Sequence, residues 1–236
     1  MPGEFELLSR QCGALVFPHL AAVYEPIDEE RVRQIGTAIR VSHRGRPFLV
    51  TAKHVLFGHR GDEEAGEKAI FFNGGLKQVG ELSPTVLRVR EYDLAAFELP
   101  EAPNESCLAV GCFARHLVRP ACITMCGYLA RDFRRTDSQA TLLPQPFVYS
   151  NFSTAMPLGF VGLRYPTRRN RNTKTRQIVR PPKPRGLSGG PMLDSAALAA
   201  GVVSIVGLFT DKPPGESVAF GEVSIKALTL LEQLAK

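Results

Sequence analysis

The chain has 236 residues, of which 44% are hydrophobic and 22% charged, and it carries a formal net charge of +6. That composition excludes a mostly disordered polypeptide, and the length suffices to bury a core without metal or disulfide staples. No apolar run is long enough to span a bilayer as a helix, and residues 1–10 carry acids where a secretory leader is apolar.

In chain order, residues 1–34 read as an N-terminal extension with a turn of helix over 28–34. A first lobe over 35–105 opens with strands over 35–41 and 46–51, joined by a turn at 43–46. Further strands are expected over 69–72, 76–82, 85–89 and 94–99, after which Pro100 and Pro103 punctuate the chain. A second lobe over 106–236 holds strands over 121–128, 140–149, 160–164, 191–194, 201–210 and 216–221. A helix over 224–236 closes it, with Ser224 capping its first turn and Ile225, Leu228, Leu231 and Leu234 on the buried face. Short β-rich runs separated by Gly and Pro predict an all-β protein built as barrels or a sandwich.

The cysteines are Cys12, Cys107, Cys112, Cys122 and Cys126, an odd set with no CxxC pair. Without a leader, this pattern points to a reducing, cytoplasmic setting and to thiols that pack as small apolar groups rather than bind zinc. The positive charge is concentrated. Residues 164–185 hold nine cations and no acid, while the other 20 cations face 23 acids. A solvated loop explains this segment; an acidic partner or nucleic acid is the alternative, although no aromatic ladder accompanies the charge.

Acyl transfer needs a hydroxyl on a tight turn, with backbone N–H groups aimed at the developing oxyanion. Gly186-Leu-Ser-Gly-Gly-Pro191 offers Ser188 as that hydroxyl and the amides of Gly186 and Ser188 as the oxyanion hole. A serine needs a base to take its proton. Of His19, His43, His54, His59 and His116, only His54 stands at the mouth of an apolar strand. The base needs an acid to fix its tautomer, and Asp93 directly precedes another apolar strand. Singly, each has a plain structural reading: a glycine turn, a half-buried histidine, a carboxylate where a strand begins. Together they run His54, Asp93, Ser188, the chymotrypsin order rather than that of subtilisin or the α/β-hydrolases.

On these residues the chain resembles the trypsin/chymotrypsin-fold serine peptidases. Thr51-Ala-Lys-His54 is similar to the family's Thr-Ala-Ala-His, Asp93-Leu-Ala-Ala-Phe-Glu-Leu99 to its Asp-Ile-Ala-Leu-x-x-Leu, and the Ser188 turn to its Gly-Asp-Ser-Gly-Gly-Pro. Gly201-Val-Val-Ser204 resembles the strand that pairs with substrate. Leu187 replaces the family's Asp, which in secreted members pairs with a new N-terminal amine, so activation by trimming is not expected. The likeness leans toward bacterial trypsin-like and HtrA-type peptidases without a PDZ module.

The resemblance implies two packed antiparallel six-stranded β-barrels with a C-terminal helix and the site between them. It implies a serine endopeptidase acting on protein or peptide substrates through an acyl-enzyme, with no cofactor, metal or membrane. It puts the specificity pocket at Pro182 and Lys183, with Ser204, Ile205 and Val206 as one wall, and Lys183 and Arg185 nearby invite an acidic side chain. A regulatory protein partner or the basic segment would restrain the activity. A catalytically silent binding module and a nucleic-acid binder are the competing classes.

Overall fold

Along the strand Arg31–His43 burial first alternates and then becomes continuous from Gly36 to Ile39. Alternation marks a strand covered on one face, and a continuous run one covered on both. This strand is the axis of the first lobe and abuts the second. The computed structural model describes residues 2–29, 31–59, 65–72, 75–83, 85–100, 106–130, 132–134, 144–166, 170–171, 178–179 and 181–236.

The first lobe follows helix α1 (Pro2–Leu15). Its elements are β1 (Leu20–Pro26), β2 (Arg31–His43), β3 (Arg46–Ala52), the one-turn helix α2 (Lys53–Phe57), β4 (Ala69–Phe72), β5 (Gly75–Gln78), α3 (Val79–Leu82), β6 (Val86–Arg88) and β7 (Leu94–Glu98). The second lobe contains β8 (Leu108–Ala109), β9 (Cys122–Leu129), β10 (Asp132–Arg134), β11 (Gln145–Thr154) and β12 (Phe160–Arg164). The short pair β13 (Asn170–Arg171) and β14 (Ile178–Val179) is followed by β15 (Pro191–Asp194), α4 (Ser195–Ala199), β16 (Ile205–Asp211), β17 (Val218–Val223) and α5 (Ser224–Leu234).

The protein is mainly β, as expected, and the second lobe is a closed barrel in the order β11-β12-β17-β16-β15-β9. The first lobe is a curled sheet in the order β5-β4-β1-β2-β3-β7-β6 rather than a second closed ring. A strand over 76–82 would have lengthened its edge, but the chain winds into α3 after Gln78, and Glu81 turns back to accept the Gln78 N–H at 3.3 Å. Both β8 and β10 leave the second lobe's chain to pair with β2: Val41 lies opposite Leu108, and Val32 opposite Phe133.

Several local expectations shift. Residues 20–26 supply β1, and where a helical turn was expected over 28–34, residues 31–34 instead begin β2 and pair with β1 and β10. Ser224 is the first residue of α5 rather than its cap, and its hydroxyl donates to the Ala114 carbonyl at 2.7 Å. The buried face of α5 is Ala227, Leu230 and Leu231, while Ile225 is exposed. Residues 201–204 are a turn and loop leading from α4 into β16. Helix α1 buries Leu8 and Cys12, with Val16 buried just beyond its end, and packs on α4 and β11. No disulfide joins the five cysteines, and a hydrogen bond with Cys12, followed by burial, pushes the Cys126 thiol well above its ordinary value. Among the described residues no helix is long and apolar enough to cross a membrane. Of the basic segment, residues 167–169, 172–177 and 180 lie outside the described residues.

Candidate active site between the lobes

β3 ends at Ala52 and α2 begins at once. Val55, Leu56 and Phe57 are buried and pin the helical turn, leaving His54 half-buried on the cleft side. β7 pairs with β3, with Leu94 opposite Ala52, and this brings the preceding bend beneath His54. There the Asp93 carboxylate accepts two hydrogen bonds, from the His54 backbone N–H at 3.0 Å and from Nδ1 at 2.7 Å. A carboxylate facing Nδ1 selects the Nδ1–H tautomer, so Nε2 keeps its lone pair. The Asp93 backbone is held as well: its carbonyl accepts from Lys53 N–H at 3.1 Å, and its N–H donates to Glu222 Oε1 at 3.1 Å. Glu222 is buried and paired with Lys226, whose ammonium lies 4.9 Å from the Tyr92 ring centre and 4.7 Å from that of Phe160. His59 stacks on His54 with ring centres 4.6 Å apart.

Ser188 sits on the glycine turn before β15. Gly189 needs its glycine: φ is +87°, and a Cβ there would lie 2.1 Å from the Thr37 carbonyl. Gly186 also has positive φ, at +84°. The Arg185 carbonyl accepts from Ala130 N–H at 2.8 Å, so across a planar trans peptide the Gly186 N–H points away from Ala130. Neither that amide nor the Ser188 N–H donates to an acceptor among the described residues. A pair of amides without protein partners on one cleft-lining turn can receive a developing oxyanion. The Ser188 hydroxyl donates to the Thr210 carbonyl at 3.1 Å and makes no hydrogen bond with His54.

His54, Ser188 and Gly186 line one cleft of about 730 Å³ between the lobes. Lys183 and Arg185 also line it, opposite Thr210, Asp211 and Lys212. Pro182 does not; its carbonyl instead accepts from the Tyr165 hydroxyl at 2.7 Å. Ser204, Ile205 and Val206 stand at the far end of β16, where the Ser204 carbonyl accepts from Asp194 N–H and Ile205 pairs with Leu193. The part of β16 that meets the cleft is its end, Phe209 to Asp211. Sequence reasoning expected a strand from residue 201, but residues 201–204 complete the turn after α4. It also passed over Gln34 and Glu222, whose partners are distant along the chain.

Neither a protein-family model nor a curated protein sequence matches the chain. Solved structures do. A Glu endopeptidase superposes with a TM-score of 0.59 at 12% identity, over 95% of this chain and 94% of that one. A scabies mite inactivated protease paralogue gives 0.58 at 12%, over 92% and 95%. A Yersinia pestis serine endoprotease gives 0.55 at 16%, over 98% and 66%. The fold is chymotrypsin-like. At these identities the likeness extends to architecture alone, and these chymotrypsin-like relatives in shape include an inactivated protein, so chemistry has to be argued from the site.

Proposed function

We propose that the chain is a serine endopeptidase with Ser188 as nucleophile, His54 as general base and Asp93 as its orienting acid. The observation that carries this reading is the paired clamp of Asp93 on His54, made in the same cleft as a serine turn with two uncommitted amides. On binding a peptide, the Ser188 hydroxyl leaves the Thr210 carbonyl and turns to His54 Nε2. His54 takes its proton as Oγ attacks the scissile carbonyl, and the N–H groups of Gly186 and Ser188 hold the oxyanion. His54 then protonates the leaving amine, and water, deprotonated by His54, releases the acyl group. No cofactor enters these steps. Lys183, Arg185 and Lys212 line the cleft, and Asp211 and Glu25 are its acids; Glu25 is already engaged by Lys68 at 3.3 Å. This balance favours an acidic substrate side chain beside the scissile bond.

The hydroxyl's bond to Thr210 also supports a second reading, a catalytically silent binding module. A fluorophosphonate probe separates the two. The active enzyme gives an adduct on Ser188, identified by mass spectrometry, and Ser188→Ala loses both the adduct and roughly 10⁴-fold or more of turnover. A folded wild-type chain that stays unlabelled and hydrolyses no peptide favours the silent module.

A further inference from the structure

We infer that Gln34 and Thr37 of β2 are positioning residues that lock the oxyanion turn from the opposite lobe, in place of the ion pair that Leu187 cannot make. The inference rests on the peptidase reading above. Leu187 is fully buried in the second lobe's apolar cluster and offers no charge to anchor the turn. The anchor comes instead from across the lobe boundary. The Gly186 carbonyl accepts from the Thr37 hydroxyl at 2.8 Å and shares Gln34 Nε2, at 3.2 Å, with two other carbonyls. Thr37 Oγ1 in turn accepts the Tyr128 N–H at 3.0 Å, so its proton is committed to Gly186. Gln34 Nε2 also reaches the Tyr128 and Gly36 carbonyls, each at 3.0 Å. Both side chains are fully buried.

Two further bonds complete the frame. Thr37 N–H donates to the Ser188 carbonyl at 2.8 Å, and Ala130 N–H donates to the Arg185 carbonyl at 2.8 Å. The peptide before Gly186 is therefore held by Ala130, and the peptide after it by Gln34 and Thr37. A glycine between two free peptides would sample many backbone conformations, and the two oxyanion donors would diverge. Held at both ends, Gly186 keeps its amide on the side where Ser188 offers the second donor. The turn is thus assembled as the lobes fold together, with no cleavage of the chain required.

The test compares Thr37→Val, Thr37→Ser and Gln34→Met in the full chain, with kcat, KM, thermal midpoint and affinity for a peptide aldehyde measured for each. The aldehyde forms a tetrahedral adduct with the serine and so reads the oxyanion hole, whereas KM and a product peptide do not. Removing one oxyanion donor outright costs about 10²–10³ in kcat, and loosening both donors is expected to cost roughly 10- to 10²-fold. Thr37→Val and Gln34→Met should each lose kcat and aldehyde affinity in parallel, with KM and product-peptide binding little changed. Thr37→Ser should restore both. The double variant should lose little more than either single one, because both groups grip one carbonyl. Folded Thr37→Val and Gln34→Met proteins with kcat and aldehyde affinity within about threefold of an active wild type would overturn the inference alone. A wild type that neither hydrolyses peptides nor reacts at Ser188 would overturn the peptidase reading and this inference with it.

Discussion

Replacing Asp93 with Asn changes one atom and removes one charge. The His54 backbone N–H, 3.0 Å from Oδ1, needs an acceptor, so the Asn carbonyl oxygen takes that position. Its amide nitrogen then stands where Oδ2 lies 2.7 Å from His54 Nδ1. Two donors cannot face each other, so the ring shifts to the Nε2–H tautomer and loses the lone pair that would receive the serine proton. The carboxylate that would stabilise the imidazolium is also gone. A loss of roughly 10⁴ in kcat is expected, equivalent to about 5 kcal/mol of barrier. Steady-state hydrolysis of a fluorogenic acidic peptide gives the rate, and a thermal melt reports the fold. A melting point close to wild type with kcat within tenfold would refute the assignment of Asp93.

The other expectations concern stability and reactivity. Glu222→Ala removes the acceptor of Asp93 N–H and strands the mostly buried Lys226, at a cost of about 3 kcal/mol in urea unfolding; Lys226→Met in that background should recover part of it. Hydrogen bonds from Arg46 hold the Glu98 carboxyl below its ordinary value. A depressed carboxyl stabilises the fold above the unfolded glutamate pKa, and that gain is lost as pH falls through the folded value. Arg46→Met should therefore lower the melting point at pH 7, and the difference should vanish in acid. In timed alkylation read by mass spectrometry, the half-exposed Cys112 and Cys122 should react before Cys12 and Cys126, which are fully buried. Equal rates in the native protein would contradict the packing of α1.

The part of the site that depends on local context was legible in the sequence. His54 follows an apolar strand, Asp93 precedes one, and Ser188 lies among glycines, each a short-range pattern with a chemical reason behind it. Gln34 and Thr37 carry no such mark, because an amide at the end of an expected helical turn and a hydroxyl inside an expected strand look ordinary. Their role appears only through contacts that span 152 and 149 residues to Gly186. Residues 28–34 illustrate the same limit for the fold. Their acids and Arg favour a helical turn locally, but for residues 31–34 pairing with β1 and with β10, about a hundred residues on, prevails. Glu222 lies just past the strand expected over 216–221 and carries no local mark, although it is buried against Lys226 and the Asp93 backbone. In α5 the buried stripe is rotated from the expected one: Leu231 is shared, but Ala227 and Leu230 are buried and Ile225 is exposed.

The pairing of β10 with β2 bears on how the protein can be divided. A fragment ending near residue 105 would leave the stretch from Arg31 to Arg33 with an open hydrogen-bonding edge, since its cover arrives from Asp132–Arg134. Such an edge recruits other strands, so the isolated N-terminal half should self-associate rather than behave as a module. The two halves are sutured by the borrowed segments β8 and β10, which makes them poor candidates for exchange with lobes of another protein.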